Sequence, residues 1–262
     1  MNKLNNLISI VVPVYNESDS IRLLINEIIN VMKSHQLLFE LIIVNDGSVD
    51  RTSNVLENLS LEIKQLTVIN LRKNYGQTAA LAAGFDHSNG DIIVTLDGDL
   101  QNDPNDIPKL ITNINEGYDL ICGWRFQRKD KLLNRRIPSQ IANRLIGNVT
   151  GIHLHDYGCS LKAFKHEIIK DIKLYGELHR FLPVLANIEG AKIKEIKVNH
   201  RSRKYGQSKY GIDRTFRVLM DLLTVWFMNK FLTRPMYVFG FIGIISIISS
   251  FIMSSYLIVL KF

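Results

Sequence analysis

Between residues 7 and 120 the sequence alternates short apolar runs with helical patterns, and this alternation constrains the fold more than any other feature. Apolar, β-branched runs predict strands at 7–12, 39–44, 67–70 and 92–96. Apolar residues at helical spacing predict helices between them, the first through Ile21, Leu24, Ile25, Ile28 and Ile29. Strand, helix and strand repeated at this interval predict a parallel, doubly wound sheet.

Polar clusters follow three of these strands, at Asn16-Glu17, Asn45-Asp46-Gly47-Ser48 and Asp97-Gly98-Asp99. Because ligands of such sheets bind beyond the carboxyl ends of the strands, we expect the clusters to converge on one site. Two carboxylates at the end of a buried strand suit a divalent cation, which prefers oxygen ligands. Asp-x-Asp also starts turns, so the motif alone leaves the metal and turn interpretations equally favoured. We expect Gly98 to let the backbone bend so that both carboxylates face the crevice and a bulky group can approach.

Composition limits the class of partner. The chain has 262 residues, of which 46% are hydrophobic, and it can therefore bury one substantial domain. Its formal net charge of +7 favours anionic partners, either phosphates or a phospholipid surface. Motifs typical of nucleic-acid-binding proteins are missing from the sequence, as are the dinucleotide fingerprint and the phosphate-binding loop. Two cysteines are too few for a disulfide framework and fit a reducing compartment.

The C-terminal part of the sequence predicts membrane attachment. Residues 236–260 carry no charge and match the roughly 20 apolar residues that span a bilayer. Lys230 and Arg234 before this segment, against Lys261 after it, place the preceding domain in the cytoplasm by the positive-inside rule. Residues 211–230 have an amphipathic pattern that predicts a helix in the bilayer interface, the alternative being a helix packed on the preceding domain. The polar stripe of this helix consists of Asp213, Arg214, Arg217, Asp221 and Asn229.

Motifs in chain order make a more specific identification possible. The segments 12–17 (VPVYNE), 44–52 (VNDGSVDRT), 72–77 (RKNYGQ) and 95–101 (TLDGDLQ) resemble those of the family 2 glycosyltransferases with a GT-A fold. Further segments resemble the branch of that family that glycosylates polyprenyl phosphates, namely 123–125 (GWR), 156–159 (DYGC), 181–183 (FLP) and 200–210 (HRSRKYGQSKY). The resemblance implies an α/β catalytic domain at 1–210 with a Rossmann-like mixed sheet flanked by helices. A juxtamembrane amphipathic helix region at 211–234 and one transmembrane helix at 235–260 would follow.

The resemblance also implies a site for a nucleotide-sugar donor. Five side chains would bind the nucleotide, its ribose and the diphosphate: Pro13, Tyr15, Glu17, Asp46 and Asp97. Asp99 and Gln101 would ligate Mg²⁺ or Mn²⁺, and the cation would neutralise charge on the departing nucleoside diphosphate. Arg203 and Lys209 resemble diphosphate contacts on a loop that closes over the donor.

For the acceptor, the resemblance implies that Arg125, Arg135 and Ser139 bind a lipid phosphate. The basic run 125–136 has the alternative interpretation of a solvated or lipid-attracting surface. Asp97, Asp99 and Asp156 form the implied catalytic set. Asp156 matches an aspartate sometimes assigned as a base, but a phosphate monoester with a second pKa near 6 is already anionic at neutral pH. We therefore expect Asp156 to orient other groups, and the sugar to be transferred by direct in-line attack with inversion.

The implied reaction transfers one sugar from a nucleotide sugar, UDP-linked rather than GDP-linked, to undecaprenyl or another polyprenyl phosphate. It would serve cell-envelope glycan or lipid modification at the cytoplasmic face of the inner membrane, from a single-pass enzyme. One alternative is a processive polysaccharide synthase, whose Gln-x-x-Arg-Trp motif is missing; another is an inactive membrane scaffold, although Asp97, Asp99 and Gln101 are intact. Relatives usually continue into a second transmembrane helix, whereas this sequence stops at Phe262. It is either a shortened form or truncated, and self-association stays open.

Overall fold

A seven-stranded mixed sheet organises the catalytic part of the chain. The computed structural model describes residues 6–126, 137–202, 213–231 and 234–261. In chain order the strands are β1 (Ile8–Val14), β2 (Phe39–Asn45), β3 (Leu66–Asn70), β4 (Ile92–Thr95), β5 (Leu120–Arg125), β6 (Lys162–Lys165) and β7 (Ile193–Val198). Their order across the sheet is β3-β2-β1-β4-β6-β5-β7. The predicted alternation of strands and helices up to residue 120 is confirmed.

Helices cover both faces of the sheet. They are α1 (Ile21–Ser34), α2 (Thr52–Glu62), α3 (Gln77–Asp86), α4 (Ile107–Asn115), α5 (Ile137–Thr150), α6 (His166–Lys170), α7 (Leu182–Ile188), α8 (Asp213–Phe231) and α9 (Met236–Lys261). Alternate residues of β1 enter opposite cores: Ile10 and Val12 pack with α1, α2 and α4, whereas Val11 packs with α3, α6 and α7. A strand that is buried on both faces is apolar throughout, which explains the continuous apolar runs in the sequence.

The direction of β6 makes the sheet mixed. β1, β2, β3 and β4 pair in parallel, whereas β6 is antiparallel to both β4 and β5. The first residue of β6, Lys162, pairs with Thr95 at the carboxyl end of β4. The chain therefore enters β6 from the carboxyl edge of the sheet, and a strand that starts there must run back antiparallel to its neighbours. Lys162 consequently lies on the edge where the polar clusters meet.

The helix before the last, apolar helix packs on the domain that contains the sheet. Leu222 and Val225 of α8 are buried against a cluster that includes Phe181 and Val184. Asp221 accepts a hydrogen bond from the Glu177 backbone N–H at 3.2 Å. These contacts correspond to the alternative of a packed helix, and they involve Asp221, a residue of the polar stripe.

The last helix has the dimensions of a membrane span. Within α9, residues Met236–Leu260 have a mean hydropathy of 2.2, and none of the apolar window is buried. A helix with 25 such residues is long enough to cross the hydrocarbon core of a bilayer. Among the described residues, this is the one helix that is long and apolar enough to cross a membrane.

Candidate active site

The carboxyl ends of β1, β2 and β4 lie side by side, so the three polar clusters meet as predicted. An open cleft of about 460 Å³ lies beside β2 and β3, within the usual size range of small-molecule sites. Its walls include Tyr15, Gly47, Ser48, Asn70 and Lys73. The arrangement is a concave polar site of nucleotide size beyond the ends of parallel strands.

Hydrogen bonds join the loops that follow β1 and β2. The Asn16 N–H donates to Ser48 Oγ at 2.9 Å, and the Val49 N–H donates to Asn16 Oδ1 at 2.9 Å. Asn16 has a φ of 53°, a left-handed conformation that asparagine tolerates better than most residues. Glu17 lies in the same turn, where its carboxylate accepts a hydrogen bond from Ser20 Oγ at 2.8 Å.

Asp46 organises the loop after β3. Its carboxylate accepts the backbone N–H groups of Tyr75 and Gly76 at 2.7 and 2.9 Å. Burial raises the pKa of Asp46, and these two hydrogen bonds oppose the rise. Gly47 allows the loop to approach: its φ is 64°, and a Cβ there would lie 2.3 Å from the Lys73 carbonyl carbon. Asp46 thus shapes the cleft that was expected to hold the nucleotide.

Asp97 is held just beyond the end of β4 by neighbours that the sequence did not reveal. Gln77 Nε2 donates to Asp97 Oδ1 at 2.8 Å. The Asp97 N–H donates to Asn102 Oδ1 at 3.3 Å, and Ser160 Oγ donates to the same oxygen at 2.8 Å. The carboxylate of Asp97 therefore has a defined orientation at the end of β4.

The turn that carries Asp99 and Gln101 is shaped by Leu100. Leu100 has a φ of 62°, a conformation that costs a residue with a side chain about 1–2 kcal/mol, and such strain often occurs at functional sites. Gly98 has a different role from the one expected. It does not have a positive φ, but a Cβ there would lie 2.7 Å from Val14 Cγ1. Close packing against β1 requires glycine at this position, because Val14 occupies the space that a side chain would need.

A second segment, residues 199–201, docks on this turn. The Arg201 N–H donates to the Gln101 carbonyl at 2.8 Å, and Gln101 Nε2 donates to the Arg201 carbonyl at 3.4 Å. The Arg201 guanidinium contacts Asp103 and Glu27, both at 2.7 Å. Burial alone would raise the pKa of Asp103, but hydrogen bonds from Asn199 and Asn105 and the Arg201 charge lower it. Residues 199–201 are thus fixed beside Asp99 and Gln101, the expected metal ligands.

Arg125 and Asp156 form a largely buried ion pair. Arg125 Nε and Nη2 donate to the two carboxylate oxygens of Asp156 at 2.6 and 2.8 Å. Burial alone would lower the pKa of Arg125, but the bond to Asp156 and the charges of Asp156 and Asp97 raise it. Gly158 makes room for the pair, since a Cβ there would lie 3.2 Å from Arg125 Nη2.

Glu195 supports this ion pair from β7. Its carboxylate accepts the backbone N–H groups of His155 and Asp156 at 3.1 and 2.9 Å, and it contacts His155 Nδ1 at 2.7 Å. The side chain of Glu195 is 10% exposed. The sequence offered no signal for this residue, because β7 meets the segment 155–156 only in the folded chain.

A small cavity extends inward from Asp97. Its volume is about 50 Å³, and its polar wall includes Gln77, Ser160, Lys162, His179 and Arg180. Thr78 Oγ1 lies 2.6 Å from His179 Nδ1 and holds the imidazole in place. Pro13, which was expected to contact the nucleotide, lies in the wall of this cavity.

Several predicted site residues lie outside the described part of the structure. They are Arg135, Arg203 and Lys209, and for Ser139 the structure describes only the position in α5. Among the residues that are described, no cluster of three His, Cys, Asp or Glu side chains could hold a metal ion by itself. Mg²⁺ commonly binds one or two carboxylates together with substrate phosphates, and Asp99 with Gln101 could supply part of such a set of oxygens.

Comparisons with known proteins agree with this geometry. The sequence profile described as Glycosyl transferase family 2 matches residues 9–173. Dodecaprenyl-phosphate galacturonate synthase of Rhizobium johnstonii is 47% identical, covering 90% of this chain and 71% of the relative. Undecaprenyl-phosphate 4-deoxy-4-formamido-L-arabinose transferase of Proteus mirabilis is 37% identical, covering 98% of this chain and 77% of the relative.

Solved structures show the same fold. Glucosyl-3-phosphoglycerate synthase from Mycobacterium tuberculosis, in complex with Mn²⁺, UDP and phosphoglyceric acid, superposes with a TM-score of 0.66. The match covers 86% of this chain and 78% of that chain at 18% identity, so it concerns the architecture. The ordered motifs, the mixed sheet and the family match lead to one conclusion: the chain belongs to the family 2 glycosyltransferases.

Proposed function

We propose that the protein transfers a single sugar from a nucleotide sugar to a polyprenyl phosphate at a membrane. One observation carries the proposal: the guanidinium of Arg125, whose side chain is 14% exposed, lies directly behind Gly158. Gly158 lines the cavity that contains Asp97, so an anionic acceptor bound by Arg125 would lie beside the donor. The two relatives described above are named for such lipid acceptors.

The donor would lie across the carboxyl ends of the strands. Tyr15 and the Asp46 loop would enclose the nucleotide, and Asp97 would face its ribose and diphosphate; we favour UDP over GDP. Asp99 and Gln101 would hold Mg²⁺ or Mn²⁺. The contact of Gln101 with the Arg201 carbonyl supports this role, because it orients the Gln101 side chain. The bound cation would stabilise negative charge on the departing nucleoside diphosphate.

Asp156 would act as a positioning residue. Both of its carboxylate oxygens accept hydrogen bonds from Arg125, and one also accepts the Gly158 N–H at 3.1 Å. A carboxylate engaged in this way is poorly placed to remove a proton. A phosphate acceptor is already anionic near pH 7, since its second pKa is about 6. The acceptor oxygen would therefore attack the anomeric carbon directly, with inversion, while Arg125 holds the phosphate.

Membrane attachment would bring the acceptor to the site. We assign residues 1–210 to the catalytic domain, 211–234 to the juxtamembrane helix region and 235–260 to a membrane span. The distribution of Lys230, Arg234 and Lys261 favours the cytoplasmic face of the inner membrane. A lipid acceptor and a soluble donor can meet at that surface, which fits a role in modifying cell-envelope glycans or lipids.

The relatives leave the donor sugar open. One is named for galacturonate, a sugar with a carboxylate, and the other for 4-deoxy-4-formamido-L-arabinose, which has none. The test uses the purified full chain in detergent with undecaprenyl phosphate and a panel of UDP and GDP sugars. We expect release of nucleoside diphosphate that requires both a divalent cation and the lipid, with one sugar per lipid product. If no donor in the panel supports lipid-dependent release, the proposal is wrong; a product with many sugars would instead indicate a polymerising synthase.

A variant pair tests the metal assignment. Asp99→Ala should abolish transfer without changing the thermal midpoint by more than a few degrees. Asp86→Ala is the matched control, because Asp86 is an exposed carboxylate at the last position of α3. Retained transfer in Asp99→Ala would remove Asp99 from the metal site.

A further inference from the structure

We propose that the donor sugar is a hexuronate, whose carboxylate enters the small cavity beside Asp97. This inference rests on the proposed function and names the substrate class of the same site. The cavity wall contains Lys162, His179 and Arg180, and Asp97 at its mouth is the only acidic residue that lines it in the described part of the chain. The charge of the wall therefore favours an anionic group.

Lys162 supplies the strongest argument. The residue is 3% exposed, and its ammonium donates to the backbone carbonyls of Tyr157 and Cys159. Among the side chains that the structure describes, no carboxylate lies within ion-pair distance of this ammonium. A buried charge is stable when it is paired, and removing it from water without a counter-charge is unfavourable. An anionic ligand would provide the missing counter-charge.

Arg180 differs from Lys162 because it has an acidic neighbour. The Arg180 charge tends to lower the pKa of Asp221, although burial of Asp221 dominates and raises it. Arg180 thus lies between α8 and the cavity. Its planar guanidinium could bind a carboxylate through two parallel hydrogen bonds, a geometry that a lysine cannot reproduce.

The position of the cavity favours a sugar carboxylate over a phosphate of either substrate. Its volume of about 50 Å³ is sufficient for a small substituent such as a carboxylate. Lys162 pairs with Thr95, two residues before Asp97. Lys162 is therefore further inside the sheet than Asp97, whose carboxylate would face the donor diphosphate. The acceptor phosphate is assigned to Arg125, on the other side of Gly158.

The test compares UDP sugars that differ only in whether the sugar carries a carboxylate. The full chain with undecaprenyl phosphate is assayed with UDP-galacturonate and UDP-glucuronate against UDP-galactose and UDP-glucose. A site built around a buried cation should reject a donor without its anion strongly, so we expect at least a 100-fold higher kcat/KM for one of the uronates. Equal kcat/KM values for uronate and neutral donors, a preference for a neutral sugar, or failure of these four donors while another donor of the wider panel is used would overturn the inference and leave the proposed function intact. Only failure of every donor in the UDP and GDP panel would refute the proposed function.

Variants then test which side chains bind the sugar carboxylate. Arg180→Gln should lower the uronate-to-neutral ratio of kcat/KM at least tenfold, with the thermal midpoint unchanged because Arg180 is only half-buried. Lys162→Met should shift the ratio in the same direction if it folds, and Arg180→Gln keeps the inference testable if it does not. Lys170→Gln is the control, because Lys170 is an exposed cation at the end of α6, and it should leave the ratio unchanged. An equal loss for uronate and neutral donors in Arg180→Gln would mean that the cation contacts a phosphate, and the inference would be wrong.

Discussion

The ion pair between Arg125 and Asp156 allows a quantitative prediction. Asp156→Asn preserves the size of the side chain but removes the charge opposite a guanidinium whose side chain is 14% exposed. Two charge-assisted hydrogen bonds, at 2.6 and 2.8 Å, are weakened or lost. Each such bond contributes roughly 1.5–3 kcal/mol. Removing one partner of a buried pair typically costs about 3–5 kcal/mol, because the other charge stays buried.

The assay is thermal unfolding of the full chain in detergent, followed by tryptophan fluorescence. For a chain of this length, about 3–5 kcal/mol corresponds to a decrease of the midpoint on the order of 10 °C. Arg22→Gln is the control, because it breaks an exposed pair with Glu62 at 3.6 Å, where less than about 1 kcal/mol is expected. The acceptor KM of Asp156→Asn should rise while the donor KM stays near its original value, since Arg125 would lose its fixed orientation.

A double-variant cycle separates the ion pair from other effects. Arg125→Met alone leaves the Asp156 carboxylate buried without its partner, and it should also destabilise the protein. The combination Arg125→Met/Asp156→Asn removes both charges, so its loss should be smaller than the sum of the two single losses by at least about 2 kcal/mol. Additive losses would refute the reasoning, because they would show that the two side chains do not stabilise each other.

Three further changes test other parts of the site. Gly98→Ala should cost about 1–3 kcal/mol through overpacking against Val14, and Val14→Ala in the same chain should restore part of it; no rescue would contradict the packing argument. The pKa of Asp103 is lower in the folded protein than in the unfolded chain, where it is about 4. Its carboxylate therefore stabilises the fold at a pH above about 4, and this contribution is lost as the pH falls through the folded-state pKa. Asp103→Asn should therefore lower the thermal midpoint at pH 7 and differ less from wild type near pH 3, and a constant difference would exclude the carboxylate as its cause. Glu195→Gln should raise the acceptor KM about tenfold through Asp156 with little change in the donor KM, whereas an equal rise in both would indicate a general loss of structure.

Much of the fold follows from local patterns. Continuous apolar runs predict β1, β2 and β4 because a strand buried on both faces has no polar side, and helical spacing predicts α1. Parallel strands place their carboxyl ends on one edge, so the convergence of the three polar clusters was predictable before any contact was known. The apolar segment 236–260 predicts α9 by length and composition alone.

Other features depend on contacts between distant segments. The role of Gly98 depends on how closely Val14 approaches, and only Leu100 has the positive φ in that turn. The antiparallel direction of β6 follows from where the chain re-enters the sheet, which places Lys162 at the cavity. No short-range pattern encodes such distances.

The amino-acid sequence by itself determined the family, the strand-end clusters and the long apolar C-terminal helix, because each depends on periodicity or on residues close together in the chain. The tertiary structure alone decided which charges are paired. Arg125 pairs with Asp156, and Glu195 accepts a hydrogen bond from the Asp156 backbone N–H. These residues are far apart in the chain, and the register between β5 and β7 brings them together. It also left Lys162 buried without a described carboxylate partner. Electrostatic energies depend on separation and burial in three dimensions, and for that reason these relations cannot be predicted from the order of residues.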